Sequence, residues 1–392
     1  MGPTSDGNSI VVDAATARRL ALRAALLDGS PLSPTADSVV MVARHFGGIQ
    51  IDPTRTVERT QHLVLWSRIE TYDRALLDQA LADRQLFEWN AFIVPVERLP
   101  ELLHYGRTWP GVGGEWRDRT RRFIDGNTDF RQSILDQLHA EGPLQSRQID
   151  DSKVKVGWES TGWTHGKNTS QMLEFMSVKM DVVVAGRIGQ ERLWDLTERV
   201  IPAATPRHDL TDDEYAESRV LRAIQRFGIA TIAEIRARAY GVSVAEVKAT
   251  VARLVDQEKA DYARLELATG TVDAVIEAGA TEALDEVRPA RTTLVSPFDP
   301  LIYDRERTER IFGFRYKLEM YVPKDERKFG HFVLPIVHDR QLIGRLDSER
   351  DRKTNELVVR KLHWESGAAP SAAARQAVDQ AIAELKEFVR AG

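Results

Sequence analysis

The sequence predicts an α+β, mainly α protein with tandem winged-helix domains, a small C-terminal antiparallel β-barrel and a final helix. One observation behind this prediction is an internal repeat, QSILDQLHAEGPLQSRQI and SRVLRAIQRFGIATIAEI. Each copy has an amphipathic helix, a glycine, a short link, a Ser/Thr cap and a second helix. The other observation is the alternation of apolar and polar residues after Thr292, which is typical of short antiparallel strands.

The length of the chain indicates several domains, because 392 residues exceed what one ordinary core holds. We expect an elaborated N-terminal winged-helix domain over residues 10–125 and a second winged-helix domain over residues 126–205. A third should occupy residues 210–270. The β-barrel-like domain with its terminal helix should occupy residues 290–392.

Composition excludes several classes of protein. No apolar run approaches the roughly 20 residues that span a membrane, and residues 1–10, which we interpret as a frayed start, lack a secretion-signal pattern. The absence of cysteine excludes disulfides, thiol catalysis and Cys-based zinc sites. The nine histidines do not pair at ligand spacing, so no metal and no cofactor are expected. We therefore expect a cytoplasmic protein without a membrane partner.

Charge does not by itself indicate a nucleic-acid partner, because the net charge is −5. The distribution is uneven, however. Acidic side chains gather in residues 209–217 and 273–286, and basic ones in residues 117–122, 305–317 and 350–353. A mixed, solvated surface is the ordinary interpretation of any one such cluster.

The N-terminal segment reads as a helix-rich unit with small strands. Asp13 is a suitable N-cap, and Gly47 and Gly48 are suitable helix terminators. Pro53 biases Asp52 away from the helical region, so the chain should be extended here and should run into a turn. The predicted helices are residues 14–27, 34–46, 72–81 and 97–105, with a strand at residues 86–89.

The two repeat copies should each consist of three helices and a hairpin, in the order of a winged helix. In the first copy we predict helices at residues 130–140 and 168–179 and strands at residues 181–187 and 191–195. In the second we predict helices at residues 215–227, 232–240 and 244–257 and a wing from residue 259. The C-terminal strands should be residues 293–295, 318–322, 331–337, 341–346 and 357–362, before a helix at 371–391.

Short motifs do not decide the chemistry. The sequence has no phosphate-cradling glycine loop, no Gly-x-Ser-x-Gly elbow and no His-Glu-x-x-His site. Gln50 could merely hold a loop, and an Asp before a Pro, as at Asp52, is a common turn former. From the residues alone, an array of winged helices favours a transcription regulator.

Several long segments nevertheless resemble one family. These are GGIQIDPTRTVERTQHLVLWSRI, LFEWNAFIVPVERLP, GRIGQERLWDLTERVIP and, most specifically, SPFDPLIYDRERTERIFGFRYKLEMYVPKDERKFGHFVLPIVHDRQLIGRLDSERDRK. Together they resemble the YcaQ/AlkZ-like winged-helix DNA glycosylases over most of the chain. The Gln-Ile-Asp sequence at Gln50–Asp52 matches the YcaQ-like branch, in which the motif is Gln-apolar-Asp.

The resemblance implies a monofunctional DNA glycosylase that acts on N7-alkylated guanine, including interstrand crosslinks and bulky monoadducts. Alkylation at N7 makes the purine a cationic leaving group, and the departing bond leaves positive charge on the sugar. Asp52 would stabilise that charge and act as general base towards water. Gln50, two residues away on an extended chain, would project on the same side and position the water or the sugar phosphate. The partner would be double-stranded DNA, bound by a monomer.

Contacts with the DNA backbone are expected from basic side chains. The third helix of the second unit, KNTSQMLEFM, has Lys167 and little else, whereas the family often has several cations there. This departure weakens the inference of a preference for large lesions. Arg307 and Arg310 have an alternative role as structural partners of Asp304 and Glu306. The candidates for DNA binding are Arg55, Arg59, Arg121, Arg122, Lys167, Arg305, Arg307 and Arg310.

Two other hypotheses make different predictions. A non-enzymatic winged-helix regulator would dimerise on a palindromic operator and would give Gln50 and Asp52 no special role. A related glycosylase restricted to small monoadducts would share the chemistry but not the crosslink substrate. The glycosylase hypothesis predicts binding that is independent of sequence and sensitive to salt.

Overall fold

The chain forms two compact units in the computed structural model, which describes residues 9–160, 162, 164–286, 288–366 and 370–392. The discontinuous unit combines Met1–Gln79 with Ala216–Gly392, and the inserted unit is Ala80–Tyr215.

Helices account for about 43% of the residues and strands for about 20%, so the chain is an α+β protein as predicted. Side-chain caps fix several helix starts; Asp13, for example, accepts a hydrogen bond from the Thr16 amide at 2.7 Å. The helices are α1 (Ala14–Ala24), α2 (Ala36–Phe46), α3 (Thr60–Trp66), α4 (Arg74–Ala82), α5 (Leu99–Thr108), α6 (Glu115–Asp125), α7 (Thr128–Glu141), α8 (Asn168–Val178), α9 (Thr197–Val200), α10 (Asp212–Phe227), α11 (Ile232–Arg238), α12 (Val244–Asp256), α13 (Arg305–Phe312) and α14 (Ala372–Arg390).

The strands are short, and most of them pair antiparallel with a neighbour. They are β1 (Ile10–Asp13), β2 (Ile49–Gln50), β3 (Leu86–Trp89), β4 (Phe92–Pro95), β5 (Leu144–Gln145), β6 (Val182–Ile188), β7 (Glu191–Leu196), β8 (Ile229–Ala230), β9 (Ala260–Leu267), β10 (Gly270–Glu277), β11 (Thr292–Leu294), β12 (Val333–His338), β13 (Gln341–Arg350) and β14 (Leu357–Trp364). No helix among the described residues is long and apolar enough to cross a membrane.

The N-terminal strand joins a sheet formed much later in the chain. The order of this sheet is β1-β9-β10-β8, and β1 runs parallel to β9 with Val12 opposite Leu265. Val12 and Leu20 are buried with Ile229 in one apolar cluster. The prediction of a frayed start was therefore wrong at Ile10, whereas residues 1–8 lie outside the described residues. The sequence separation of this pairing explains why local patterning did not reveal it.

The C-terminal strands form an open four-stranded sheet in the order β11-β12-β13-β14, with α14 packed against it. The predicted barrel is therefore wrong, because β11 and β14 are opposite edges of this sheet. The predicted strand at residues 318–322 is also absent. Glu319 there is buried, and its carboxylate accepts hydrogen bonds from the amides of Phe329 (2.9 Å) and Gly330 (3.1 Å). Side-chain bonds of this kind hold the segment as an irregular loop.

The inserted unit contains strands in the order β4-β3-β6-β7-β5. One apolar cluster of this unit includes Phe130 and Ile134 of α7, Met172 and Leu173 of α8, and Trp194 of β7. These helical residues recur at the spacing of a single buried stripe, as the sequence predicted for this segment.

The two repeat copies share one strand topology. In the inserted unit, the short strand β5 pairs with β7, the second strand of the β6–β7 hairpin. In the discontinuous unit, the short strand β8 pairs with β10, the second strand of the β9–β10 hairpin. A helix precedes the short strand and another precedes the hairpin in both copies. The repeat found in the sequence is therefore also a repeat of topology.

Candidate active site

A tight turn leads from α2 to the segment that carries the Gln-Ile-Asp motif. Gly47 ends α2 in the left-handed region, with φ of 67°, and its amide donates a hydrogen bond to the Arg44 carbonyl. The short strand β2 follows at once, with Ile49 buried and Gln50 partly buried. Within the residues that the structure describes, the Gln50 side chain has no hydrogen-bond partner. Its amide group is therefore available to a ligand.

Asp52 begins a turn immediately after this strand. Its Oδ1 accepts a hydrogen bond from the Thr54 amide at 2.8 Å, which is the side-chain bond expected of an Asp in a turn. Over the same described part of the chain, Oδ2 has no hydrogen-bond partner, and the side chain is partly exposed. One oxygen thus fixes the orientation of the carboxylate, and the other remains able to contact water or a cationic sugar.

A buried carboxylate, Glu58, holds the far end of the same loop. It accepts hydrogen bonds from Arg55 Nε at 2.8 Å, from the Arg59 amide at 2.8 Å and from Arg74 Nη2 at 2.5 Å. Arg350 Nη1 lies 3.7 Å from its Oε2. Burial raises the pKa of Glu58, but these hydrogen bonds and charges outweigh burial and hold the pKa at about 2. Glu58 therefore remains ionised and anchors the loop.

A second anchor for the loop comes from the C-terminal sheet. The Arg350 amide, at the end of β13, donates a hydrogen bond to the Thr56 carbonyl at 2.7 Å, and Val57 is fully buried. Arg350 Nη2 also donates to the Gly392 carbonyl at 2.6 Å. The motif loop is thus attached to residues that lie some 300 positions later in the sequence.

A neutral histidine lies behind the loop, on α3. His62 Nδ1 and the Tyr72 hydroxyl are 3.0 Å apart. Burial lowers the pKa of His62 to about 4 against the opposing influence of Glu58, so the imidazole is uncharged near neutral pH. Burial also raises the pKa of the Tyr72 hydroxyl. The pair therefore forms a hydrogen bond without adding charge near Glu58.

The predicted DNA-binding residues near the motif have partners in the fold. Arg55 is the exposed partner of Glu58, with its side chain 40% accessible. Arg59 stands at the N-terminal boundary of α3 and also has interactions within the fold. Both lie within seven residues of Asp52, and Arg55 presents the more accessible charge.

Three predicted cations belong to the inserted unit. Arg121 on α6 donates a hydrogen bond to the Gly111 carbonyl at 2.7 Å and pairs with Asp118. Arg122 on the same helix is exposed. Lys167 is exposed at the N-cap position of α8. These side chains are accessible to a polyanion.

The predicted cations on α13 have structural roles instead. Arg307 is 2% exposed, and its Nη2 donates hydrogen bonds to the Phe227 carbonyl at 2.7 Å and the Ile229 carbonyl at 3.2 Å. Arg305 donates to the Pro297 carbonyl at 2.6 Å. Arg310 pairs with Glu234. The structure therefore corrects the phosphate-binding prediction for Arg307, because burial leaves its guanidinium no access to DNA. Arg305 and Arg310 are already engaged.

The arrangement suits a reaction that needs one oriented carboxylate and one amide. Over the described part of the chain, no group of three or more His, Asp or Glu side chains is placed to hold a metal ion. Asp52 and Gln50 are separated by one residue and carry the donor and acceptor atoms that water activation requires. The sequence analysis did not identify Glu58. The only signal in the sequence was its position, six residues after Asp52.

Comparison with known proteins shows what the chain is related to. It is similar in structure to the DNA glycosylase AlkZ of Streptomyces sahachiroi, with a TM-score of 0.65, 15% sequence identity and coverage of 97% of each chain. This likeness concerns the fold. The model of the AlkZ-like DNA glycosylase family matches residues 43–388, which include the Gln50–Asp52 motif and most of both units. The chain therefore belongs to the AlkZ-like DNA glycosylase family.

Proposed function

We propose that this protein hydrolyses the N-glycosidic bond of N7-alkylated guanine in double-stranded DNA, including interstrand crosslinks and bulky monoadducts. Membership of a DNA glycosylase family supports the bond that is broken. The single observation that carries the assignment of residues is the Asp52 carboxylate. One of its oxygens is fixed by the Thr54 amide, and the other has no hydrogen-bond partner among the residues that the structure describes.

The chemistry follows from the charge of the substrate. N7-alkylguanine is already cationic, so it leaves without protonation by a protein acid. Positive charge develops on the sugar as the bond breaks, and a fixed carboxylate beside it lowers the energy of that state. Asp52 Oδ2 would then take a proton from the attacking water, and the product would be an abasic site.

Gln50 is assigned a positioning role for the water or the sugar phosphate. Its amide offers both donors and an acceptor, and the short strand β2 fixes its backbone. Neither Gln50 nor Asp52 carries an amine that could form a Schiff base with the sugar. The proposed activity is therefore monofunctional, releasing the base without cutting the strand.

The mode of DNA binding is also part of the proposal. The repeated order of helix, short strand, helix and hairpin supports a winged-helix assignment, and we propose that both copies belong to this class. Exposed cations at Arg55, Arg122 and Lys167 would contact phosphates. We propose that a monomer acts on double-stranded DNA in the cytoplasm.

The test is a base-release assay on duplex DNA that carries either one N7-methylguanine or one nitrogen-mustard crosslink. Wild-type protein is compared with Asp52→Asn and Gln50→Ala, and folding of each is checked by circular dichroism. We expect alkali-labile sites from wild type on both substrates, a large loss with Asp52→Asn and a smaller loss with Gln50→Ala.

Two outcomes would change the assignment. Activity on the monoadduct alone would restrict the substrate to small lesions. If wild type released no base from either substrate but shifted DNA in a gel, a regulator would replace the glycosylase, and selection of an operator sequence would identify its site.

A further inference from the structure

A row of arginines on α10 faces the turn that leads to the active-site strand. Arg219, Arg222 and Arg226 follow one another at intervals of three and four residues, which places them on one side of the helix. Arg219 Nη2 donates a hydrogen bond at 3.0 Å to the carbonyl of Arg238, at the end of α11. These four residues are here called the arginine face, and the sequence analysis gave them no role.

The arginine face contacts the α2–β2 turn directly. Arg226 Nη1 donates a hydrogen bond to the Phe46 carbonyl at 3.2 Å, at the last residue of α2. The Arg222 side chain packs against Gly47, where an added Cβ would lie 2.4 Å from Arg222 Cδ. Gln50 follows Gly47 by three residues. The arginine face therefore adjoins the segment that carries the proposed chemistry.

The guanidinium groups of Arg226 and Arg238 are not saturated by protein acceptors. An arginine has five N–H donors, yet within the described chain Arg226 makes one hydrogen bond and the Arg238 side chain makes none. The Nε of each is buried without an acceptor, but both residues, unlike the buried Arg307, are partly exposed. Leaving such donors unmatched is costly unless a ligand supplies oxygens.

A negative charge that attracts Arg226 already has another partner. Asp299 attracts Arg226 electrostatically, but its two oxygens accept hydrogen bonds from Arg68 at 2.7 and 2.9 Å. Burial, followed by the positive charge of Arg238, lowers the pKa of Arg226 to about 10, so the Arg226 guanidinium stays charged near neutral pH. The two cations thus lie close enough to repel each other, and neither forms an ion pair with another described residue.

Two exposed tyrosines border the arginine face. The Arg238 guanidinium lies 3.8 Å from the centroid of Tyr303, and Arg219 lies 5.5 Å from that of Tyr240. Tyr303 is 42% exposed and Tyr240 is 50% exposed. Arginines beside accessible aromatic rings are a frequent combination where proteins bind nucleic-acid backbones and bases.

We propose that Arg226 and Arg238 bind a backbone phosphate of the DNA substrate, next to the turn that positions Gln50. A phosphate would neutralise the repulsion between the two cations and accept hydrogen bonds from both guanidinium groups. This inference rests on the proposed function, and it adds a phosphate contact beside the turn that precedes the active-site strand.

The experiment measures DNA affinity without requiring catalysis. The Asp52→Asn protein serves as the background, and the probe is an undamaged fluorescent duplex in an anisotropy titration from 50 to 200 mM salt. We expect Arg226→Gln and Arg238→Gln each to weaken binding and to reduce the slope of log affinity against log salt by about 1, because one phosphate contact is lost.

Matched variants separate the contact from a packing role. Arg238→Lys keeps the charge and should retain the slope. Arg236→Gln removes a charge from the other side of α11 and should leave the slope unchanged. If Arg226→Gln and Arg238→Gln lowered only the melting temperature, with slopes equal to the background, the two arginines would be structural and the proposal would fail.

A free phosphate ion is the other ligand that would fit Arg226 and Arg238. In one outcome, inorganic phosphate raises the melting temperature of the background protein but not of Arg238→Gln, and the salt slope of DNA affinity does not change. This outcome would overturn the DNA assignment. Absence of base release by wild type together with the expected slopes would remove the proposed function but leave this inference in place, so the two failures are distinguishable.

Discussion

Two aspartates of the discontinuous unit differ in how far the fold uses their charge. The Asp299 side chain is fully buried, and its two oxygens accept hydrogen bonds from Arg68, whose side chain is also fully buried. Asp299 Oδ1 accepts a further bond from the Leu301 amide at 2.9 Å. Asp52 is partly exposed and accepts one hydrogen bond, from the Thr54 amide. The first carboxylate is committed to structure, and the second is available for chemistry.

The difference shows that location, more than residue type, decides what a carboxylate can do. A buried ion pair contributes mainly by leaving no charge unmatched, so removal of either partner is costly. A carboxylate oxygen that faces outward contributes little to folding but can stabilise a cation that arrives with the substrate. Variants at committed and at available side chains therefore test the two halves of this comparison.

The largest effect on stability is expected from Asp299→Asn. This change leaves the Arg68 guanidinium buried without its counter-charge, and we expect the free energy of unfolding to fall by about 3–5 kcal/mol. Urea denaturation measures the loss. Replacing both partners, as Arg68→Met with Asp299→Leu, should cost less than Asp299→Asn alone. A loss below about 1 kcal/mol for the single change would contradict the account.

A somewhat smaller effect is expected at Glu58, with a defined dependence on pH. The pKa of Glu58 is about 2 in the folded protein, against 4.5 for an ordinary Glu. The unfolded state therefore binds a proton first as pH falls, and stability is lost between about pH 4.5 and 2. The shift corresponds to an order of magnitude of about 3 kcal/mol.

Glu58→Gln tests this expectation by denaturation at several pH values. Stability at pH 7 should fall, and the dependence on pH between 4.5 and 2 should flatten relative to wild type. Asp129→Asn, at an exposed carboxylate paired with Lys155, is a suitable control and should change the profile little. An unaltered profile in Glu58→Gln would show that other carboxylates dominate acid unfolding.

The smallest of these effects is expected at the turn before the active-site strand. Gly47→Ala places a Cβ at φ of 67° and against Arg222, whereas Gly313→Ala places one at φ of 66° with no atom within 4 Å. In both variants the free energy of unfolding should fall by about 1 kcal/mol, because alanine is strained in this left-handed backbone conformation. Gly47→Ala should also slow base release, because the turn positions Gln50. Equal stability and equal activity in the two variants would refute a role for the Arg222 contact.

Much of the local structure could be predicted from the sequence, because caps, turn residues and apolar periodicity are local signals. The helices α2, α8 and α12 begin and end within two residues of the prediction. Helix α13 was missed, since it has few apolar residues and lies among predicted strands. Closure of the C-terminal sheet was predicted wrongly, because alternation places residues on two faces but does not determine which strands form the edges.

The candidate site was only partly predictable for the same reason. Gln50 and Asp52 are two residues apart, so a motif could identify them. The anchors of their loop are distant in sequence: Glu58 meets Arg350, and Thr56 accepts a hydrogen bond from the Arg350 amide. The pairing of Arg68 with Asp299 spans 231 positions. Partnerships of this kind depend on the fold and have no signature in a single sequence.

Asp52 is assigned to chemistry and not to folding, and one variant tests both parts of this assignment. Asn at position 52 can still accept the Thr54 hydrogen bond, so the turn should persist in Asp52→Asn. The measurement is the single-turnover rate of N7-methylguanine release, made alongside the free energy of unfolding of the same protein. We predict a rate reduced at least about 100-fold, with stability within about 0.5 kcal/mol of wild type. A rate within a few-fold of wild type would contradict the account, as would a loss of activity fully explained by unfolding.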